Sequence, residues 1–134
     1  MTRAVRVSVV ILVLAACGSD KPPVGPPKRP ATELIVGEFE RRPPDGTTAI
    51  RFRADGSVLV AHERAKLDRE SLASGTWKLD GDQLTLTYDK GMCADGSPGV
   101  YKVVVSKIGV HFGKVEDRCD QRAKIDNQTW WRIR

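Results

Sequence analysis

From Thr32 to Arg134 the chain is built of short runs in which apolar side chains fall at alternate positions, and Gly or Asp-Gly interrupts them repeatedly. Alternation of period 2 is the mark of half-buried strands, and turn signals about every 8–12 residues are the mark of an all-β sandwich or barrel. Charged residues make up 29% and aromatics 6% of the chain, which suits a globular domain. No apolar run reaches the roughly 18 residues needed to span a bilayer as a helix.

The first sixteen residues follow a different rule. Arg3 and Arg6 precede an apolar stretch from Val7 to Ala16, broken by Ser8, which ends in Leu14-Ala15-Ala16-Cys17. A basic start, a short apolar core and small residues before a cleavage point read as a secretory signal peptide over 1–16. Leu-Ala-Ala-Cys resembles the lipobox of bacterial lipoproteins. The resemblance implies cleavage before Cys17 and lipidation of its thiol, hence a membrane anchor. Gly18 after the cysteine, rather than Asp, implies sorting to the outer membrane. The expected location is the bacterial cell envelope, and the first expected partner is the membrane itself.

Residues 18–31 hold five prolines in fourteen positions. Proline lacks a donor and fixes φ, so this stretch, together with Cys17, reads as an extended tether over 17–31. The split changes the meaning of the charge. Of 22 Lys+Arg and 17 Asp+Glu, five basic residues and one acidic residue precede Thr32. The domain 32–134 keeps 17 and 16, a net charge of +1, and nucleic acid is not an expected partner.

Eight strands are expected in that domain: Gly37–Arg41, Thr48–Arg53, Ser57–His62, Ser74–Leu79, Gln83–Asp89, Gly99–Val105, Gly109–Val115 and Thr129–Ile133. A short helical turn capped by Thr32 precedes them. Residues 62–72 read equally as a short helix or a long loop. Parity suggests pairing the first two strands with Phe39 opposite Phe52, Glu38 opposite Arg53 and Glu40 opposite Arg51. Around the Asp80-Gly81 turn it suggests Trp77 opposite Leu84 and Gly75 opposite Leu86. A meander of this kind closes into an antiparallel up-and-down barrel, which removes exposed edges.

Gly37-Glu38-Phe39, Phe52-Arg53-Ala54-Asp55-Gly56, Gly75-Thr76-Trp77-Lys78-Leu79-Asp80-Gly81 and the closing Trp131-Arg132 together resemble the small lipocalin-like (calycin) domains of bacterial lipoproteins. The resemblance implies an eight-stranded barrel. It puts Phe39 where lipocalins carry a Trp, and Arg132 in the place of the late Arg that packs over it. The expected lining of the barrel interior is Phe39, Phe52, Trp77, Tyr101, Phe112 and Trp131.

With Cys17 lipidated, Cys93 and Cys119 remain, and an isolated pair in an oxidising envelope is expected to form a disulfide. Such a bridge closes a loop of about 27 residues and contributes roughly 3.5 kcal/mol in the chain-entropy model. The charged run Asp117-Arg118-Cys119-Asp120-Gln121-Arg122 reads as a solvated loop in which Asp117 and Arg122 can pair; the alternative is a contact surface.

No enzyme signature is present. His62 and His111 lack a nucleophile at motif spacing, and no phosphate loop, zinc pattern or calcium loop occurs. The chain is expected to be a non-enzymatic monomer without cofactor or metal. Three functions remain. The barrel can carry a small hydrophobic ligand. Its surface or loops, Pro43-Pro44-Asp45-Gly46 among them, can bind an envelope protein, as inhibitors of proteases or lysozymes do. Or it can be a structural envelope component. A cavity reaching solvent speaks for the first, and a filled barrel with a rigid protruding loop for the second.

Overall fold

The computed structural model describes residues 29–44 and 46–134. The signal segment, Cys17 and the tether through Lys28 lie outside these residues, as does Asp45. A single helical turn, α1 (Ala31–Leu34), leads into β1 (Gly37–Arg41), β2 (Thr48–Phe52), β3 (Ser57–Ala61), β4 (Ala73–Asp80), β5 (Gln83–Gly91), β6 (Pro98–Val105) and β7 (Gly109–Glu116). A second turn, α2 (Asp120–Ala123), precedes β8 (Gln128–Arg132). Every strand runs antiparallel to its sequence neighbours, and β8 returns to β1 to close an eight-stranded barrel in chain order.

All eight expected strands are present, and the Cys93–Cys119 disulfide is formed. The cap of α1 differs from expectation. Pro30 occupies the N-cap with φ −61° and ψ 151°, and no side chain caps the turn, so Thr32 falls inside the helix. Residues 62–72 resolve into a loop with one 3₁₀ turn at Arg64–Lys66.

Two registers differ from the parity expectation by two residues each, which preserves the faces while changing the partners. In β1–β2, Phe39 faces Ile50, Glu38 faces Arg51 and Glu40 faces Ala49. Pro43-Pro44 cannot donate to a ladder, so pairing stops at Arg41 opposite Thr48. In β4–β5, Asp80 pairs with Gln83, so the two-residue loop is Gly81-Asp82 and not Asp80-Gly81. Gly81 takes φ +61° at the first loop position, a conformation that needs no side-chain relief only in Gly. Trp77 then faces Leu86, and Gly75 faces Tyr88. A Cβ on Gly75 would lie 2.0 Å from the Thr87 carbonyl oxygen, so this position tolerates no side chain.

The barrel's two ends are unlike. At one, the β2–β3, β4–β5 and β6–β7 turns are short, and α1 with buried Ile35 lies across the opening. Phe39, Phe52 and Trp77 fill this half edge to face, with ring centroids 6.1 and 5.8 Å apart. The Arg132 guanidinium lies 4.6 Å from the centre of the Phe39 ring, the stacking the family resemblance implied. At the other end stand the long connections 42–47, 62–72, 92–97 and 117–127.

The loop 62–72 folds back over the outside of β2 and β3. Leu67 buries against outward-facing Ala49 and Ala61. Arg51 binds Asp68 at 2.7 Å and Glu38 at 3.5 Å, while Arg64 binds Glu38 at 2.6 Å. The cross-strand charge matching expected on this face is therefore real but uses Glu38 with Arg51.

One expected interior residue is corrected. Trp131 is 56% exposed, and its neighbour Trp130, 3% exposed, packs inward at 6.1 Å from Phe112. The pairing of Val110 with Trp130 fixes this parity, because Val110 and Phe112 already face the core. Trp130→Ala should cost about 3–5 kcal/mol in urea unfolding. Trp131→Ala should stay within about 0.5 kcal/mol of the parent. Equal losses would contradict the assigned faces.

Candidate functional site

The four long connections surround the barrel's open end, and the Cys93–Cys119 bridge ties the β5–β6 loop to the β7–β8 loop with Cα atoms 5.9 Å apart. Asp95 shapes the first of these loops. Its Oδ1 accepts from the Ser97 backbone N–H at 3.0 Å and from the Ser97 hydroxyl at 2.7 Å, and these bonds hold its carboxyl below its ordinary pKa.

In the second loop, α2 turns Arg122 into the barrel. Arg122 is 1% exposed, and neither it nor Asp117 has exposed side-chain surface. The pair is bidentate: Nε donates to Asp117 Oδ2 at 2.7 Å and Nη2 to Oδ1 at 2.8 Å. Nη2 also donates to the Ser97 carbonyl at 3.0 Å. The Tyr101 hydroxyl donates to Asp117 Oδ2, and the Cys119 backbone N–H donates to Oδ1 at 2.9 Å. The guanidinium lies over the Tyr88 ring, 5.1 Å from its centre. Nη1 is buried and makes no hydrogen bond within the protein.

The titration behaviour follows from these contacts. Burial alone would raise the Asp117 pKa, but the bonds from Arg122, Tyr101 and the Cys119 N–H outweigh it and hold the carboxyl below its ordinary range. Burial, which penalises the phenolate, pushes both Tyr88 and Tyr101 well above the ordinary phenol value. Room for the pair comes from Gly99, at an inward position of β6. A Cβ there would lie 2.5 Å from Asp117 Oδ2 and 2.6 Å from Arg122 Nε.

Beside this pair lies a cavity of about 470 Å³. Ile50, Val60, Tyr88, Met92, Phe112 and Trp130 form its apolar wall, and Arg122 lies in its lining. Arg41, His62, Gln121 and Lys124 stand toward the rim, so the cavity runs from the core to the loops. Of the six residues expected to line the interior, Phe112 alone borders this cavity. Phe39, Phe52 and Tyr101 are buried in the filled part of the core, Trp77 is half-buried beside Phe52, and Trp131 is outside.

The interior faces are as expected, but the open space lies elsewhere. The expected pairing of Asp117 with Arg122 is present, as the buried floor of the open end and not in a solvated loop. The available clue was Gly99, a missing side chain at an inward position between large neighbours. His111 lies on the outer face, with Nδ1 2.9 Å from Thr129 Oγ1, away from the cavity. No family model and no curated protein matches this chain.

Asp117 provides a pH test. Its depressed native pKa makes its stabilising contribution complete above about pH 4 and lost as pH falls through the native value. Asp117→Asn should flatten this acid dependence in urea titrations from neutral to low pH. It should also destabilise the protein at neutral pH by about 3–5 kcal/mol, because Arg122 is left buried without a counter-ion. An unchanged acid profile would remove Asp117 from this role.

Proposed function

We propose that this chain is an envelope-anchored, non-catalytic binding protein that holds one small apolar ligand in the open end of its barrel. The observation that carries the reading is the cavity of about 470 Å³. It falls in the roughly 300–1,000 Å³ range of small-molecule sites, with Ile50, Val60, Phe112 and Trp130 on its deep side and polar residues such as Arg41, Gln121 and Lys124 at its rim. Eight-stranded barrels are just wide enough either to fill with side chains or to hold one ligand. This barrel does each in one of its halves.

Anchoring through Cys17 rests on the lipobox resemblance. Residues 29–34 enter at the plugged end, opposite the cavity mouth.

Native mass spectrometry of the full-length product from an oxidising compartment is the direct test. A discrete added mass, lost on unfolding, is the expected result. A clean mass in repeated preparations, with no uptake of added apolar probes, would overturn the carrier reading. For the anchor, Cys17→Ala should release the protein from the membrane fraction; continued fractionation with membranes would exclude lipid attachment.

A further inference from the structure

Three exposed large apolar side chains gather on one flank of the barrel. Trp131 is 56% exposed, Ile108 57% and Val104 67%. Val115, exposed as well, stands at the far end of β7. Outward His111 faces Val104 on one side and Thr129 on the other, and Gly109 faces Trp131 in the next row. A Cβ on Gly109 would stand 3.5 Å from Trp131 Cε3, so the indole lies over bare backbone beside the β6–β7 turn. That turn presents Lys107 and Ile108 from a fixed frame. The Ser106 backbone N–H donates to the Gly109 carbonyl at 2.9 Å, and Ser106 Oγ accepts from the N–H groups of Ile108 and Gly109 at 3.2 and 3.3 Å. The Ile108 carbonyl accepts from the Arg132 backbone N–H at 2.8 Å, which ties the turn to β8.

The flank lies where the chain enters the fold. Arg132 joins the carbonyls of Leu34 and Val36 to that of Lys107, so α1 and the turn are neighbours. Exposed Arg29, Lys107 and Arg134 stand around it, against Glu33 on α1 and Asp80 at the neighbouring β4–β5 turn. Lys102 and Asp82 pair with each other at 3.5 Å, and Glu40 pairs with Arg42 at 2.8 Å. The described residues here leave a positive excess. Cys17 stands twelve positions before Arg29. At about 3.6 Å per residue, a lipid on Cys17 is never more than about 43 Å from Arg29.

Resting on the anchored reading above, we propose that this flank lies against the anionic surface of the bilayer that holds the anchor. Trp131 and Ile108 enter the headgroup layer, and Lys107, Arg134 and Arg29 meet its phosphates. Indole favours that layer because its body is apolar and its N–H polar. A second copy suits the flank less well. A two-fold axis through it would set the basic residues of one copy against the same residues of the other. An anionic surface attracts them.

The test uses the full-length product, weighed for acylation and reconstituted in vesicles of phosphatidylethanolamine and phosphatidylglycerol with brominated acyl chains. Trp131→Phe identifies the part of the tryptophan emission that belongs to Trp131. Bromine should quench that part, whereas vesicles without bromine should shift it to shorter wavelength. Lys107→Gln should move the ratio of docked to free flank about fivefold toward free, the worth of one basic residue at such a surface. Unquenched Trp131 emission in acylated protein would overturn the docked flank and leave the anchor standing. An unacylated mass would remove the anchor alone, and quenching on added vesicles would still decide the flank. Quenching unchanged by Lys107→Gln and by phosphatidylcholine in place of phosphatidylglycerol would overturn the anionic assignment. A dimer in sedimentation without lipid, with Trp131 shielded from acrylamide, would give the flank to a second copy and overturn the proposal.

Discussion

The structure depends on closing the sheet between β1 and β8, and that seam is short. It consists of two facing pairs, Phe39 with Arg132 and Glu40 with Trp131. So few ladder positions would leave two edges close to open, and open edges recruit other strands. The Arg132 side chain reinforces the seam from the barrel's end. Its Nη1 donates to the Val36 carbonyl at 3.1 Å, Nη2 to the Leu34 carbonyl, and Nε to the Lys107 carbonyl at 3.1 Å. One guanidinium thus joins the entry to β1, the β6–β7 turn and β8, while stacking on Phe39. Gly37 allows this approach. Its φ of +143° is open to Gly, and a Cβ there would stand 2.7 Å from Arg132 Nη1.

Plugging one end decides what the other can be. The interior of a barrel of this width has little room, and large rings occupy the half near Arg132. Toward the open end Ile50, Val60 and Gly99 stand inward beside the rings of Tyr88, Phe112 and Trp130. Arg122 enters that space from α2. The loops that carry the rim are braced by the disulfide on one side, and by Leu67 and the Arg51–Asp68 pair on the other. The open end is therefore a built feature with a fixed floor.

Much of the fold was legible because period 2 is a strong rule. Alternation located all eight strands, and the compartment argument located the disulfide. What parity could not settle was register, since a slip of two residues keeps every face. Prolines 43 and 44 and the positive φ at Gly81 decided it, and both are local effects visible only once pairing is known. The Trp130-Trp131 pair shows the reverse problem: adjacent identical residues give parity no chemical preference, and the Val110 partner made the choice. The open space was least legible. Six aromatics read as one lining, but rings that stack on one another fill volume. The pairing of Asp117 with Arg122 was legible but its burial was not, because a run such as Asp-Arg-Cys-Asp-Gln-Arg looks like solvent-facing sequence until Gly99 makes room for two of its members.

That ion pair is a cost the fold carries at its open end. Burying a guanidinium and a carboxylate costs several kcal/mol of desolvation, and apolar replacements often stabilise as well or better. Stability alone therefore gives a poor account of Arg122. Asp117, Tyr101 and Ser97 satisfy most of the network, yet Nη1 stays unmatched, and an unmade bond to a charged donor carries a penalty of at least about 1–3 kcal/mol in the free protein.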